Sequence, residues 1–324
     1  MCTAITYKTN HFYFGRTLDN SCSYNEQVVI TPRNYPFHFK EIETITSHFA
    51  IIGMAHVEDN YPLYYDAINE KGLAMAGLNF VDNAFYQQKN KDKINITQYE
   101  FIQWILCQCT SVNEAIELIQ KMNFLNAPFN DKLPIAKLHW MVADKNKAVV
   151  VESMRDGIKI YDNPIGVLTN NPPFDFQLFS LNNYMNLSAK PPKNNFSKKL
   201  DLNQYSLGMG AIGLPGDFSS QSRFIRSSFV KINSISECNE QESVNQFFHI
   251  LNSVEQPKGC CDLGDENYEI TLYSSCCNTD QGIYYYTTYE NHQITAINMH
   301  NENLDGSQLI CYSLIKKEQI KIQN

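Results

Sequence analysis

The sequence predicts an α+β protein whose antiparallel sheets are bracketed by blocks of helix. Short β-rich runs separated by turn residues fill the first eighty positions, capping boxes then open two helices, and strands return later without strict β-α alternation. The early strands are Cys2 to Tyr7, Phe12 to Arg16, Gln27 to Thr31, Phe49 to Ala55, Tyr64 to Asn69 and Gly72 to Phe80. Thr9-Asn10, Asp19-Asn20 and Asn69-Glu70-Lys71-Gly72 read as the turns between them. Thr97-x-x-Glu100 and Ser111-x-x-Glu114 each supply partners for the orphan N–H groups of a first helical turn. Val112, Ala115, Ile116, Ile119 and Met122 then fall on one face at helical spacing, which marks them as core.

Strands resume at Leu138 to Val142, Ala148 to Glu152, Ile158 to Tyr161 and Val167 to Thr169. A polar, Pro-containing excursion runs from about Asn186 to Gln204, and helices are predicted at Ser222 to Ile235 and Glu242 to Ser253. The chain closes with strands near Ile270 to Tyr273, Gly282 to Thr288 and Gln293 to Ile297. Nothing in the composition splits the 324 residues, so a single domain over 1–324 is expected.

A net charge of −8 argues against a nucleic-acid partner, which would need clustered Lys and Arg on a basic surface. The lysines from Lys89 to Lys93 and from Lys190 to Lys199 sit in Asn- and Pro-rich stretches and read as solvated loops. No apolar run reaches the ~18 residues of a membrane span, and the N-terminus lacks the basic and apolar regions of a secretory signal. A cytoplasmic, soluble protein without a membrane partner is expected.

Ten cysteines are many, and a reducing compartment keeps them as thiols. The pairs Cys260-Cys261 and Cys276-Cys277 raise the alternative of a metal-binding or redox protein. Adjacent cysteines diverge too far to chelate one ion easily, so no metal is assigned. Gly208-Met209-Gly210-Ala211-Ile212-Gly213 satisfies the dinucleotide-binding GxGxxG pattern literally, yet Leu214-Pro215-Gly216-Asp217 continues a loop where a helix should start. No cofactor is assigned either.

The chemistry points to the chain start. Methionine aminopeptidase normally removes Met1 when the next side chain is small, leaving Cys2 with a thiol and a free α-amine. An α-amine with pKa about 7.7 to 8.0 is one of the few bases half-neutral near physiological pH. If Cys2 to Tyr7 and Phe12 to Arg16 form a hairpin, Arg16 returns beside the thiol and Asp19 is placed to orient the amine. The competing reading of Arg16 and Asp19 is a surface ion pair at a hairpin end.

The segments Met1-Cys2-Thr3, Phe14-Gly15-Arg16-Thr17-Leu18-Asp19, Asn69-Glu70-Lys71-Gly72-Leu73 and Ala76-Gly77-Leu78-Asn79-Phe80 occur with four more in a telling order. These are Leu138-His139-Trp140, Gly166-Val167-Leu168-Thr169-Asn170, Leu214-Pro215-Gly216-Asp217-Phe218-Ser219 and Ser222-Arg223-Phe224. Together, almost end to end, they resemble the choloylglycine hydrolase family of bile salt hydrolases and penicillin V acylases. The resemblance implies a four-layer αββα sandwich of two antiparallel sheets between helical layers, the N-terminal nucleophile fold, and hydrolysis of an amide bond.

It further implies Cys2 as nucleophile, its α-amine as proton shuttle, Arg16 and Asp19 as electrostatic neighbours, Asn79 and Asn170 at the oxyanion hole and Arg223 as a second active-site arginine. By family position Leu18, Phe129, Leu133 and Leu138 are candidate walls of an apolar acyl pocket, and Glu58 and Tyr65 fall in a stretch that lines it, where a steroid calls for apolar or smaller residues; the alternative for the Glu58 carboxylate is a place on the rim, facing water. The pattern is nearer the Gram-positive bile salt hydrolases than the penicillin acylases, so a conjugated bile salt is the expected substrate and penicillin V the alternative. In that family the Asn182 to Arg223 stretch takes part in tetramer contacts, and a homotetramer is expected.

Overall fold

The computed structural model describes residues 1–237 and 239–324. Two large antiparallel sheets form its centre. The six-stranded sheet has the order Val167–Leu168, Cys2–Lys8, Phe12–Asn20, Ile270–Asn278, Ile283–Thr288 and Asn291–Asn298. The eight-stranded sheet runs Gly157–Asp162, Ala148–Met154, Leu138–Ala143, Ala74–Asn79, Tyr61–Asn69, Ile51–Glu58, Gln27–Thr31 and Ile310–Ser313.

Strand alternation explains why the second sheet reads as nearly continuous apolar sequence. Ile52, Met54, Ile68, Ala76, Leu78, Met141 and Val150 face the core shared with the first sheet. Ile51, Ala55, Ala67, Met75, Trp140, Val149 and Val151 face away and pack under helices α1 (Phe101–Gln108) and α2 (Val112–Ile119). Helices α4 (Ser220–Asn233) and α5 (Glu240–Asn252) cover the opposite face of the six-stranded sheet through Phe224, Ile225, Val244 and Phe247, while α3 (Phe174–Ser180) adds Phe174 beside them. The result is the αββα sandwich.

The two sheets are tied at the buried Asp66, whose carboxylate accepts from Tyr273 Oη at 2.6 Å, Tyr284 Oη at 2.7 Å and Ser275 Oγ at 2.9 Å. Burial pushes this carboxyl above its usual range, against the opposing pull of Arg16 and of the three hydroxyls. Ser275 Oγ also accepts from the Arg16 N–H at 3.1 Å, so the same knot fixes the strand that carries the candidate site. Close approach matters one residue earlier: a Cβ at Gly15 would lie 2.0 Å from the Ser275 carbonyl oxygen and 2.9 Å from Cys276 Cα. Gly15→Ala is therefore expected to destabilise the fold by at least ~1–3 kcal/mol, the range for overpacked cores, read as a lower urea midpoint.

Several elements differ from the sequence reading. Asp19-Asn20 is no turn: the second strand runs on to Asn20, because Asp19 is buried and opposes Thr271 across the ladder. The strand predicted over Ile270 to Tyr273 extends to Asn278, its polar Ser274 and Ser275 being buried, with Ser275 bonded across the core. That places Cys276 and Cys277 inside a central strand, where adjacent side chains leave opposite faces and cannot share an ion. Burial pushes both thiols well up.

The first capping box is half formed. Glu100 reaches back to Thr97 N–H at 3.0 Å, but the Thr97 hydroxyl donates to that carboxylate at 2.7 Å, and the helix begins only at Phe101. In the second, Ser111 Oγ accepts from Glu114 N–H, and the Glu114 carboxylate takes the N–H and hydroxyl of Thr110. Gly208 and Gly213 have φ of 77° and 97° in a loop with one short 3-10 turn. Helix α3, the Ile310–Ser313 edge strand and a parallel pair, Ile94–Thr97 with Met122–Leu125, have no counterpart in the sequence reading.

Candidate active site

The hairpin of Cys2–Lys8 and Phe12–Asn20 sets Cys2 opposite Leu18 and Ala4 opposite Arg16. Cys2 is 2% exposed. Its N–H donates to Asn170 Oδ1 at 2.7 Å and its carbonyl accepts from Arg223 Nη1 at 2.5 Å. These bonds clamp the residue from the side of the Val167–Leu168 strand and of α4.

Arg16 is fully buried. Its Nε donates to the Thr17 carbonyl at 3.1 Å, and its Nη1 to the carbonyls of Tyr65 at 3.1 Å and Gly77 at 2.5 Å. Nη2 has no partner among the described residues, and Arg16 lines the cavity beside Cys2. Burial alone would lower its pKa, but the Cys2 thiol, then Tyr273, Asp66 and Asp19 outweigh it, so the guanidinium holds its proton more firmly than usual.

Asp19 is buried as well, and its cationic partner is Arg223, not Arg16. Its Oδ2 lies 3.8 Å from Arg223 Nη1, while Oδ1 accepts from Thr271 Oγ at 2.7 Å and Oδ2 from Thr17 Oγ at 3.3 Å. The surface ion-pair reading of Arg16 and Asp19 is thereby overturned. Arg223 also donates to Thr3 Oγ at 2.6 Å and to Asn170 Oδ1 at 2.8 Å, and burial lowers its pKa against the pull of Asp19 and Cys2.

Met1 is present on this chain. Its amine donates to the Asp19 carbonyl at 2.7 Å and pairs with the Glu269 carboxylate, and its carbonyl accepts from Asp19 N–H at 2.9 Å. Burial lowers the pKa of the Met1 amine. The Cys2 nitrogen is therefore a peptide nitrogen in this species. Glu269 had no signal in the sequence, since its role depends on a strand more than 250 residues from the N-terminus folding back beside it.

Asn170 Nδ2 donates to the Asn79 carbonyl at 2.8 Å, which holds the two asparagines together. From behind, a buried pair supports them. His139 stacks on Phe80 with ring centroids 4.3 Å apart, its Nε2 lies 2.8 Å from the Thr169 carbonyl, and its Nδ1 lies 3.1 Å from Glu152 Oε1. Glu152 Oε1 also accepts from Phe174 N–H at 2.9 Å, fixing both ends of the Asn170-to-Pro173 segment.

Cys2, Arg16, Asp19 and Asn79 open onto one cavity of about 370 Å³, walled by Leu18, Tyr65, Phe129, Leu133 and Leu138 together with Tyr24, His56, Gln98 and Ile102. Arg223 and Asn170 brace Cys2 from outside this lining. Glu58 is not among the lining residues: it ends its strand at the half-exposed rim, with Oε2 3.6 Å from His56 Nε2, and His56 faces the cavity in its stead.

Residues 2–312 match the family of linear amide C–N hydrolases, choloylglycine hydrolase type. A bile salt hydrolase/transferase of Lactiplantibacillus plantarum is 55% identical over 98% of both chains. The chain belongs to the choloylglycine hydrolase family. As a member, it is an amidohydrolase acting on linear amides. A bile salt hydrolase/transferase of Clostridium perfringens is 37% identical over the whole of both chains. The crystal structure of a C2A conjugated bile acid hydrolase from that organism superposes with a TM-score of 0.93, covering all of both chains. A penicillin V acylase from Agrobacterium tumefaciens shares the fold at a TM-score of 0.75, with 20% identity over 96% of this chain and 91% of its own.

No helix among the described residues is long and apolar enough to cross a membrane.

Proposed function

We propose that this amidohydrolase cleaves the amide of glycine- or taurine-conjugated bile salts through Cys2. The observation that carries the reading is a cysteine at position 2 placed at the polar end of a largely apolar cavity, in a chain 55% identical to a bile salt hydrolase/transferase. Once Met1 is removed, the Cys2 amine takes the thiol proton and the thiolate attacks the amide carbonyl carbon. Arg16 offers fixed positive charge on the sulfur side. The negative oxygen of the tetrahedral intermediate meets the backbone N–H of Asn79 and the second hydrogen of Asn170 Nδ2, donors typically worth ~3 to 4 kcal/mol each. The ammonium then hands its proton to the leaving nitrogen as the C–N bond breaks, giving a thioester. Water attacks the thioester while the amine takes its proton, and the acid leaves with the thiol restored.

Asp19 and Arg223 orient the amine and the Cys2 carbonyl. The wall of Leu18, Tyr65, Phe129, Leu133 and Leu138 supports an apolar acyl group, with the conjugating acid toward solvent. Comparing turnover of glycocholate, taurocholate and penicillin V tests the assignment. Efficient hydrolysis of the two bile salts is expected, and strong penicillin V preference with negligible bile salt turnover would sink it.

Two further readings go with it. The nine described cysteines are all free thiols, which supports residence in a reducing, cytoplasmic compartment. Met185, Phe196, Tyr205 and Leu207 are exposed along the 182–223 stretch, which supports a homotetramer assembled through it. Light scattering should then return four chains per particle, and a monomer would refute the assembly.

A further inference from the structure

Asn20, Tyr24, His56 and Gln98 are polar side chains of the cavity wall that the hydrolysis of an amide does not use, and Gln98 is the most deeply buried of them. Gln98 is 3% exposed, lines the cavity, and its Oε1 bonds no protein group among the described residues. A buried carbonyl oxygen without a protein partner is costly, and a group inside the cavity that Gln98 lines can supply one. It stands between Thr97 and Tyr99 on the segment entering α1, and Ile102, one turn further on, and Phe129 line the same cavity.

That segment is held rigidly from behind. Glu100 accepts from Thr97 N–H at 3.0 Å, Thr97 Oγ at 2.7 Å and Lys40 N–H at 2.6 Å, and the Tyr99 carbonyl accepts from Gln103 Nε2 at 2.7 Å. The backbone that carries the amide is thus fixed, and it belongs to the segment entering α1, not to the strands that carry Cys2, Arg16 and Asp19. A carboxamide carries both a donor and an acceptor, and either orientation of its O and N suits a hydroxyl. It has no charge with which to bind the conjugating acid.

We propose that Gln98 is a specificity-determining residue that hydrogen-bonds a C7 or C12 hydroxyl of the steroid acyl group, so that the enzyme selects steroid acids hydroxylated at that position over those lacking the hydroxyl. This deepens the bile salt reading and rests on it. A site that places an amide for a substrate hydroxyl discriminates against the analogue lacking it, because the amide is then left unpaired.

The test is kcat/KM for the full-length, processed enzyme on glycocholate, glycodeoxycholate, glycochenodeoxycholate and glycolithocholate, which differ only in ring hydroxyls. Gln98→Met is expected to lower kcat/KM roughly tenfold or more for the conjugates bearing the recognised hydroxyl, with glycolithocholate within twofold of wild type. Gln98→Glu keeps an acceptor for the hydroxyl proton and should retain part of the preference, which guards against a Met variant that folds poorly. An equal loss on all four substrates would overturn the assignment and mark Gln98 as bonding a resident water or shaping the wall. If the wild-type enzyme hydrolysed none of the four, the bile salt reading would fall and this assignment with it, a result distinct from a uniform loss.

Discussion

Enzyme that retains Met1 is expected to hydrolyse its amide substrate roughly 10²- to 10⁴-fold more slowly than enzyme beginning at Cys2, the contribution of a positioned general base and acid. The reason lies in one nitrogen. With Met1 attached, the Cys2 nitrogen is an amide that donates to Asn170 Oδ1 at 2.7 Å and cannot accept a proton from the thiol. The Met1 carbonyl meanwhile occupies the Asp19 N–H, and the Met1 amine occupies the Asp19 carbonyl and Glu269. Removing Met1 releases all three groups and creates a basic amine beside Asp19. Separating the two species by intact mass and assaying each would check this, and equal rates would exclude the amine as proton shuttle.

Replacing Arg223 by Met should have the largest effect on stability. Arg223 is fully buried and donates to Cys2, Thr3, Asn170 and Phe218 while lying 3.8 Å from Asp19. Its loss strands the buried Asp19 carboxylate, whose remaining partners are neutral hydroxyls. Removing one member of a buried pair typically costs ~3–5 kcal/mol. Activity should fall as well, since Asn170 Oδ1 and the Cys2 carbonyl lose the donor that aligns them. Arg223→Lys retains the charge but not the fork, so it should recover part of the stability and less of the rate. A Met variant within 1 kcal/mol of wild type in urea would contradict this account of the clamp.

The residues that the sequence revealed are those whose placement is local. Cys2 stands out by its position at the chain start, and Arg16 and Asp19 follow from a hairpin that alternation and turn residues predict. Asn79, Asn170 and Arg223 are single polar residues in unremarkable contexts, and only the order of short segments along the chain, read as a family resemblance, singled them out. The Arg223–Asp19 pair and Glu269 at the N-terminus join residues far apart in sequence, and Gln98 shares a cavity with Cys2 only in the folded chain; no periodicity speaks for any of them.

Among the elements, α3 begins after Pro172-Pro173 without a side-chain cap, and its Phe-Asp-Phe-Gln start has no helical alternation to read. The Ile310–Ser313 strand is a short, half-exposed edge whose partner, Gln27–Thr31, lies near the other end of the chain. Between the lining and the rim, the sequence leaves Glu58 open for a related reason: alternation along a strand tells faces apart, but not where the strand passes the rim of a cavity built from other elements.

The central claim is that the Cys2 sulfur of the Met1-free chain carries the acyl group. Acid-quenching the enzyme during turnover of glycocholate and mapping the adduct by mass spectrometry tests it directly. The expected result is one cholyl group on the N-terminal Cys2 peptide of chains lacking Met1, absent from Cys2→Ala enzyme. An acyl group on any other residue, or undiminished hydrolysis by the Cys2→Ala enzyme, would contradict it.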